Sequence, residues 1–198
     1  MSFEVLQSLV WTNYRLAVFF TVLFPLGLMI WSFVKNAHAI SKLLIIYWRV
    51  ASLLLITVYL LMAENSIGYI SGLIALGLIP VSLWFWVDLN EEIIDQKGML
   101  KTLFTAWRWG VSIYCALAFI LQLTALNCVF SSSALASEEC QVWLKPAIGF
   151  GKIFHSDLAE ASGRLGLVAV VGLIIYGLYF INFLTLRLSK KGRSATGL

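Results

Sequence analysis

Apolar residues along this chain come in five long runs, and the segments between them hold nearly all of the charge. A window of about 19 residues, close to the ~20 needed to cross ~30 Å of hydrocarbon, places the runs at 16–34, 43–63, 67–87, 109–126 and 165–186. Backbone groups in hydrocarbon have to be satisfied within their own segment, so each run is predicted to be a helix. Segments of about ten residues with alternating polarity, the mark of a membrane barrel, are missing from the pattern. The expected fold is therefore an all-α integral membrane protein of about five transmembrane helices, a single membrane domain over 1–198. The second and third spans are joined by the short turn Glu64-Asn65-Ser66. A long loop covers 127–164, and a tail covers 187–198.

Composition agrees with this and narrows it. Apolar residues make up 61% of the 198 and charged residues 12%, about half of the ~25% a soluble surface needs. The net charge of +4 raises the question of a nucleic-acid partner. The positive residues sit beside the spans and form no basic block with interleaved aromatics, so no such partner is expected. Their placement instead sets an orientation. Lys35, Lys42, Arg49, Lys97, Lys101, Arg108, Arg187, Lys190, Lys191 and Arg193 fall on one side of five alternating spans. Arg15, Lys145, Lys152 and Arg164 fall on the other, which completes the 14. The richer side is expected in the cytoplasm, with the N-terminus outside or lumenal and the C-terminus cytoplasmic.

The cysteines bear on the same question by unrelated chemistry. Cys128 and Cys140 both lie in the loop assigned to the outside, where an oxidising compartment permits a disulfide. Two free thiols are the alternative. Cys115 lies inside the fourth span and is expected to pack as a small apolar side chain. Ala37-His38-Ala39 has the form of a signal-peptide cleavage site, but the apolar run before it is longer than such peptides use, so the first span is expected to be retained.

An internal echo runs through the first four spans. Lys42, Leu44, Trp48 and Arg49 lie in a stretch that aligns with Lys101–Arg108 at an offset of 59, where Lys, Leu, Trp and Arg coincide at equivalent places. Pro25 and Trp31 similarly echo Pro80 and Trp86. The pattern fits a parallel repeat, with spans one and two as one copy and three and four as the other. Chance is the plainer account, since Leu is common and Trp beside Lys or Arg is ordinary at a membrane interface.

Few residues suggest chemistry. Trp48, Arg49, Trp107 and Arg108 are expected as interfacial anchors, with pairing of either Arg to the acidic segment after span three as the functional alternative. In that segment Asp88, Glu91, Glu92 and Asp95 stand at i, i+3, i+4 and i+7, one face of a helix and a candidate cytoplasmic docking face. Leu89, Ile93 and Ile94 would then lie on the membrane surface. The acids lack the alternating ligands and central Gly of a calcium loop, so no metal is expected. His38 and His155 fall on opposite sides and cannot share a metal. No nucleophile–base set or phosphate loop is present, so no catalytic residue is expected. His155, near Asp157, reads as an exposed loop residue before it reads as a pigment ligand. The span interiors hold no Asp, Glu, Lys or His, which weakens a carrier. Small residues, Gly68 and Gly72 in span three and Gly166, Gly172 and Gly177 in span five, would admit close helix contact.

Three segments carry a resemblance. Tyr47-Trp48-Arg49-Val50-Ala51-Ser52-Leu53, then Ser82 through Glu92 with its Trp-Phe-Trp-Val-Asp-Leu-Asn-Glu-Glu run, and Arg193-Ser194-Ala195-Thr196-Gly197 resemble a family of small cyanobacterial membrane proteins, a domain of unknown function. The resemblance covers essentially the whole chain. It implies a thylakoid or plasma membrane and brings no known activity. The expected role is a non-enzymatic accessory or assembly protein that associates with a larger membrane complex, photosynthetic if the setting is thylakoid. A small transporter or channel subunit is the alternative. The expected partners are the lipid bilayer and a membrane protein complex, with no cofactor assigned and a bound pigment or lipid left open.

Overall fold

A computed structural model describes residues 3–130, 135–154, 158–188, 190 and 192–195. Among them the chain is helical throughout its regular elements and contains no strand. Seven longer helices follow in order among the described residues, α1 Phe3–Val34, α2 His38–Met62, α3 Ile67–Trp84, α4 Val87–Asp95, α5 Met99–Leu123, α6 Glu138–Phe154 and α7 Leu158–Asn182, with a short 3-10 turn at Leu126–Val129 after α5. Within α1, residues Val18–Leu23 form a π-helical segment, and α7 is prolonged by another at Phe183–Leu188. Five helices are long and apolar enough to cross a membrane: α1, α2, α3, α5 and Ser162–Leu188 within α7 and its extension.

The expected spans map onto these five with shifted ends. The first begins at Phe3 rather than Leu16, because the polar residues Gln7, Thr12, Asn13 and Arg15 lower its hydropathy without interrupting the helix. The fourth begins at Met99 rather than Trp109, so Lys101 and Arg108 lie within the helix. The third stops at Trp84, where extended Trp86 breaks the chain before α4. The loop expected at 127–164 contains α6, which begins with Glu138 and Glu139 in its first turn and carries Pro146 inside.

α2 is the hub. It packs against α1, α3, α4, α6 and α7, and its residues Ile40, Leu43, Leu44 and Tyr47 are fully buried. α5 closes against α3 and α1, and α6 lies across the N-terminal half of α1 and on α2. α7 leans chiefly on α2, and only 6% of its most apolar stretch is buried. It is a peripheral helix whose surface otherwise faces outward. Close approach is fixed by small residues at three places. A Cβ on Gly68 would come within 2.8 Å of Leu61, one on Gly72 within 2.5 Å of Gln122 Nε2, and one on Gly166 within 2.7 Å of the Ala63 Cβ. Gly172 has ordinary room, and Gly177 has nothing near it.

The π-helical segment and Pro25 in α1 explain two buried aromatic residues. Phe24 N–H bonds Phe19 O, a wide π turn, and the next residue, Pro25, has no N–H to give. Pro25 leaves Thr21 O without its α-helical donor, and the π turn leaves Phe20 O without its own, since Phe24 N–H reaches Phe19 O instead. Trp107 Nε1 donates to Phe20 O at 2.8 Å, and Tyr47 Oη donates to Thr21 O at 2.7 Å. The two rings meet edge to face at 5.1 Å. A proline defect in α1 is thus sealed by donors from α2 and α5, as a buried carbonyl without water requires.

Candidate functional site

The densest polar structure lies at the elbow between α3 and α4. Trp84, Phe85 and Trp86 form the bend, and α4 starts with Asp88 in its first turn. Leu89 and Ile93 are buried in the main core, while Val87 and Ile94 are exposed, so the centre of the apolar face of α4 rests on protein. This corrects the expected placement of Leu89 and Ile93 on the membrane surface: α4 packs against α2, and both side chains join the main core.

The expected four-acid face is divided. Glu91, Glu92 and Asp95 are exposed. Asp88 is half-buried and committed within the fold. Its Oδ1 accepts from Leu89 N at 2.9 Å, and its Oδ2 accepts from Ala195 N at 2.8 Å and from Ser194 Oγ at 3.1 Å. The tail reaches it by turning at Gly192, whose φ of +57° suits a residue without Cβ. Arg193 then donates from Nε to Phe85 O at 2.9 Å, Val87 N donates to Arg193 O at 3.2 Å, and Ala195 is fully buried. The tail therefore clasps the elbow, and two of the segments that carry the family resemblance touch each other across about a hundred residues of chain. Thr196, Gly197, His155, Asp157 and Lys191 lie outside the described residues.

The anchors separate in the same way. Trp107 and Arg108, expected at the interface, are buried, at 3% and 6% exposure. Helix α5 extends beyond the expected span, so both residues fall inside the bundle. Trp107 is spent on the π-helical segment of α1. Arg108 Nη1 donates to Asn90 Oδ1, and its guanidinium carbon lies 3.9 Å from the Trp84 ring centre. Trp84 Nε1 donates in turn to Ser112 Oγ at 2.9 Å, and Ser112 Oγ donates to Arg108 O at 2.7 Å. Arg108 Nε has no partner. The acidic segment does engage Arg108, through its amide rather than through a carboxylate. Stacking on an indole face partly replaces the missing counter-charge.

Trp48 is half-buried with its indole N–H unpartnered, and Arg49 is exposed. Arg49 and Arg108, equivalent in the proposed repeat, thus occupy unlike surroundings. Arg49 borders an apolar groove of about 220 Å³ between α2, α3 and α7, which also takes in Ser82, Phe85, Trp86, Tyr179 and Phe183.

At the opposite end, Cys128 and Cys140 form a disulfide with Cα atoms 5.7 Å apart. Cys140 O also accepts from Tyr69 Oη at 3.0 Å, tying α6 to α3. Cys115 is free and fully buried. No group of three metal-ligating side chains occurs among the described residues.

These features define a helical bundle with five helices able to span a membrane and a charged elbow locked by its own tail at one end. The family described as "Protein of unknown function (DUF3177)" matches residues 7–196, and the chain belongs to that family. No curated protein and no solved structure matches the chain.

Proposed function

We propose that the protein is a non-enzymatic accessory or assembly factor, which docks by its elbow onto a larger membrane complex. The observation that carries this reading is the fixed presentation of Glu91, Glu92 and Asp95. α4 cannot turn these acids away, because Leu89 and Ile93 are held in the core, Asp88 is held by the tail and Asn90 is held by Arg108. A rigid row of like charges costs self-repulsion in the free protein, and a basic partner surface would relieve it. The Lys and Arg bias supports an N-terminus outside or in the lumen, with the elbow in the cytoplasm. The Cys128–Cys140 bridge supports an oxidising compartment at the other end. The resemblance to small cyanobacterial proteins favours a thylakoid or plasma membrane, where the partner would be a photosynthetic or other resident complex.

A small carrier subunit fits less well. The buried hydroxyls of Thr21, Ser32, Thr57, Ser71 and Ser82 each bond a carbonyl of their own helix. Ser32 also accepts from Ser41 between α1 and α2, and Thr57 and Ser71 bond each other between α2 and α3, so these hydroxyls are used in packing the bundle. The test is affinity purification in mild detergent with mass spectrometry of partners, comparing the natural chain with Glu91→Lys, Glu92→Lys, Asp95→Lys combined. Asp88 is left intact to spare the clasp. Loss of a stoichiometric partner with retained folding is expected, and unchanged recovery, or recovery of the protein alone from the natural chain, refutes the docking role.

A further inference from the structure

The groove beside Arg49 has an unbalanced set of polar groups. Arg49 is exposed, and its one hydrogen bond among the described residues is a long contact of 3.5 Å to Tyr179 Oη. In that contact the phenol oxygen accepts, which leaves the Tyr179 hydroxyl proton to give. Trp86, on the same wall, is 5% exposed, and its indole N–H has no acceptor. Ser82 spends its proton on Ile79 O at 2.7 Å. No acidic side chain lines the groove, and its remaining walls are aliphatic and aromatic. Arg49 and the Tyr179 hydroxyl therefore border an almost wholly apolar cavity that offers them no acidic partner.

A guanidinium beside hydrocarbon is costly unless an anion reaches it. The groove also lies at the Lys- and Arg-rich end, where anionic headgroups concentrate. Arg193, outside the groove's lining, is 5.3 Å from the ring centre of Phe85, a groove residue, and so brings a second positive charge near it. We propose that this groove binds an anionic glycerolipid. Its acidic headgroup oxygens would sit on Arg49, with the Tyr179 hydroxyl as a further donor, and the start of one acyl chain would lie along Phe183 and the face of α7. A neutral or zwitterionic lipid fits the walls equally but leaves the charge unmet. A free anion meets the charge but leaves the walls empty.

The test is native mass spectrometry of the full chain in neutral detergent, titrated with phosphatidylglycerol or with phosphatidylcholine of identical acyl chains. One phosphatidylglycerol per chain is expected to bind preferentially. Arg49→Gln should weaken it about tenfold, the order set by one charge-assisted contact. Lys152→Gln at the opposite end should leave binding unchanged. Val81→Trp, which fills the groove and keeps Arg49, should also expel the lipid, so the outcome does not hang on Arg49→Gln folding. Inorganic phosphate should not raise the thermal midpoint as the lipid does. Equal binding of the two lipids, undiminished binding in Arg49→Gln or Val81→Trp, or equal protection by phosphate would each overturn the proposal.

Discussion

Replacing Tyr47 by Phe removes one hydroxyl and leaves the rest of the ring in place. The hydroxyl donates to Thr21 O at 2.7 Å, a carbonyl that Pro25 leaves without its usual helical donor. Tyr47 is fully buried, so water cannot take over. An unsatisfied buried acceptor costs about 1–3 kcal/mol in water-soluble proteins. Polar contacts between membrane helices average nearer ~0.6 and reach ~1.7 kcal/mol. The expected loss for Tyr47→Phe is therefore about 1 kcal/mol, and Trp107→Phe loses more, because it removes part of a buried ring along with the donor to Phe20 O. The causal claim is sharper than the size. In a Pro25→Ala background the restored N–H can serve Thr21 O across an α turn or Phe20 O across a π turn. The combined penalty of the two aromatic substitutions should then shrink by about 1 kcal/mol. Unfolding in mixed micelles with rising dodecyl sulfate, followed by circular dichroism, measures all the corners of this cycle. Penalties that stay the same in both backgrounds, within the ~0.3–0.5 kcal/mol expected of independent sites, would refute the link between proline and its donors.

Three further outcomes follow from the packing. Gly166→Ala should destabilise, because the new methyl would lie 2.7 Å from the Ala63 Cβ, which cannot move without its backbone, whereas Gly177→Ala, with open space around it, should be neutral or gain up to ~1 kcal/mol of helix propensity; the same micelle unfolding separates them. Asn90→Leu should cost about 2–3 kcal/mol by leaving the Arg108 guanidinium buried without its hydrogen bond, and Arg108→Lys should recover less than half of the natural stability at this site because an ammonium cannot both stack on Trp84 and reach Asn90. Opening the Cys128–Cys140 bridge with a paired Ser substitution should cost about 3 kcal/mol, with mass-resolved alkylation before and after reduction reporting two thiols in the natural chain that become reactive only when reduced.

The sequence made the broad architecture legible because hydropathy is local and five runs of it are hard to mistake. The acidic row was legible for the same reason, since i, i+3, i+4 and i+7 is a property of one short helix. What that spacing could not reveal is that Asp88 is claimed by Ser194 and Ala195, which join the helix from the far end of the chain. Trp107 and Arg108 look like interfacial anchors by composition alone. Their burial depends on where α5 starts, and Met99-Leu100 with Lys101 gives a hydropathy window no reason to begin there. α6 was hidden because Glu138, Glu139, Lys145 and Lys152 break its apolar pattern and Pro146 reads as a stop, although the helix accommodates it. The role of Tyr47 is partly visible in hindsight: Pro25 inside an apolar run announces a carbonyl in need of a donor, but not which aromatic supplies it.

Five membrane crossings place the two ends of the chain on opposite faces of the bilayer. Fusion of a compartment-sensitive reporter to each terminus, together with alkaline carbonate extraction, measures this in one set of membranes. Retention in the carbonate pellet is expected, with the N-terminal reporter on the outer or lumenal face and the C-terminal reporter in the cytoplasm. Release into the supernatant, or signals from both reporters on one face, would contradict it.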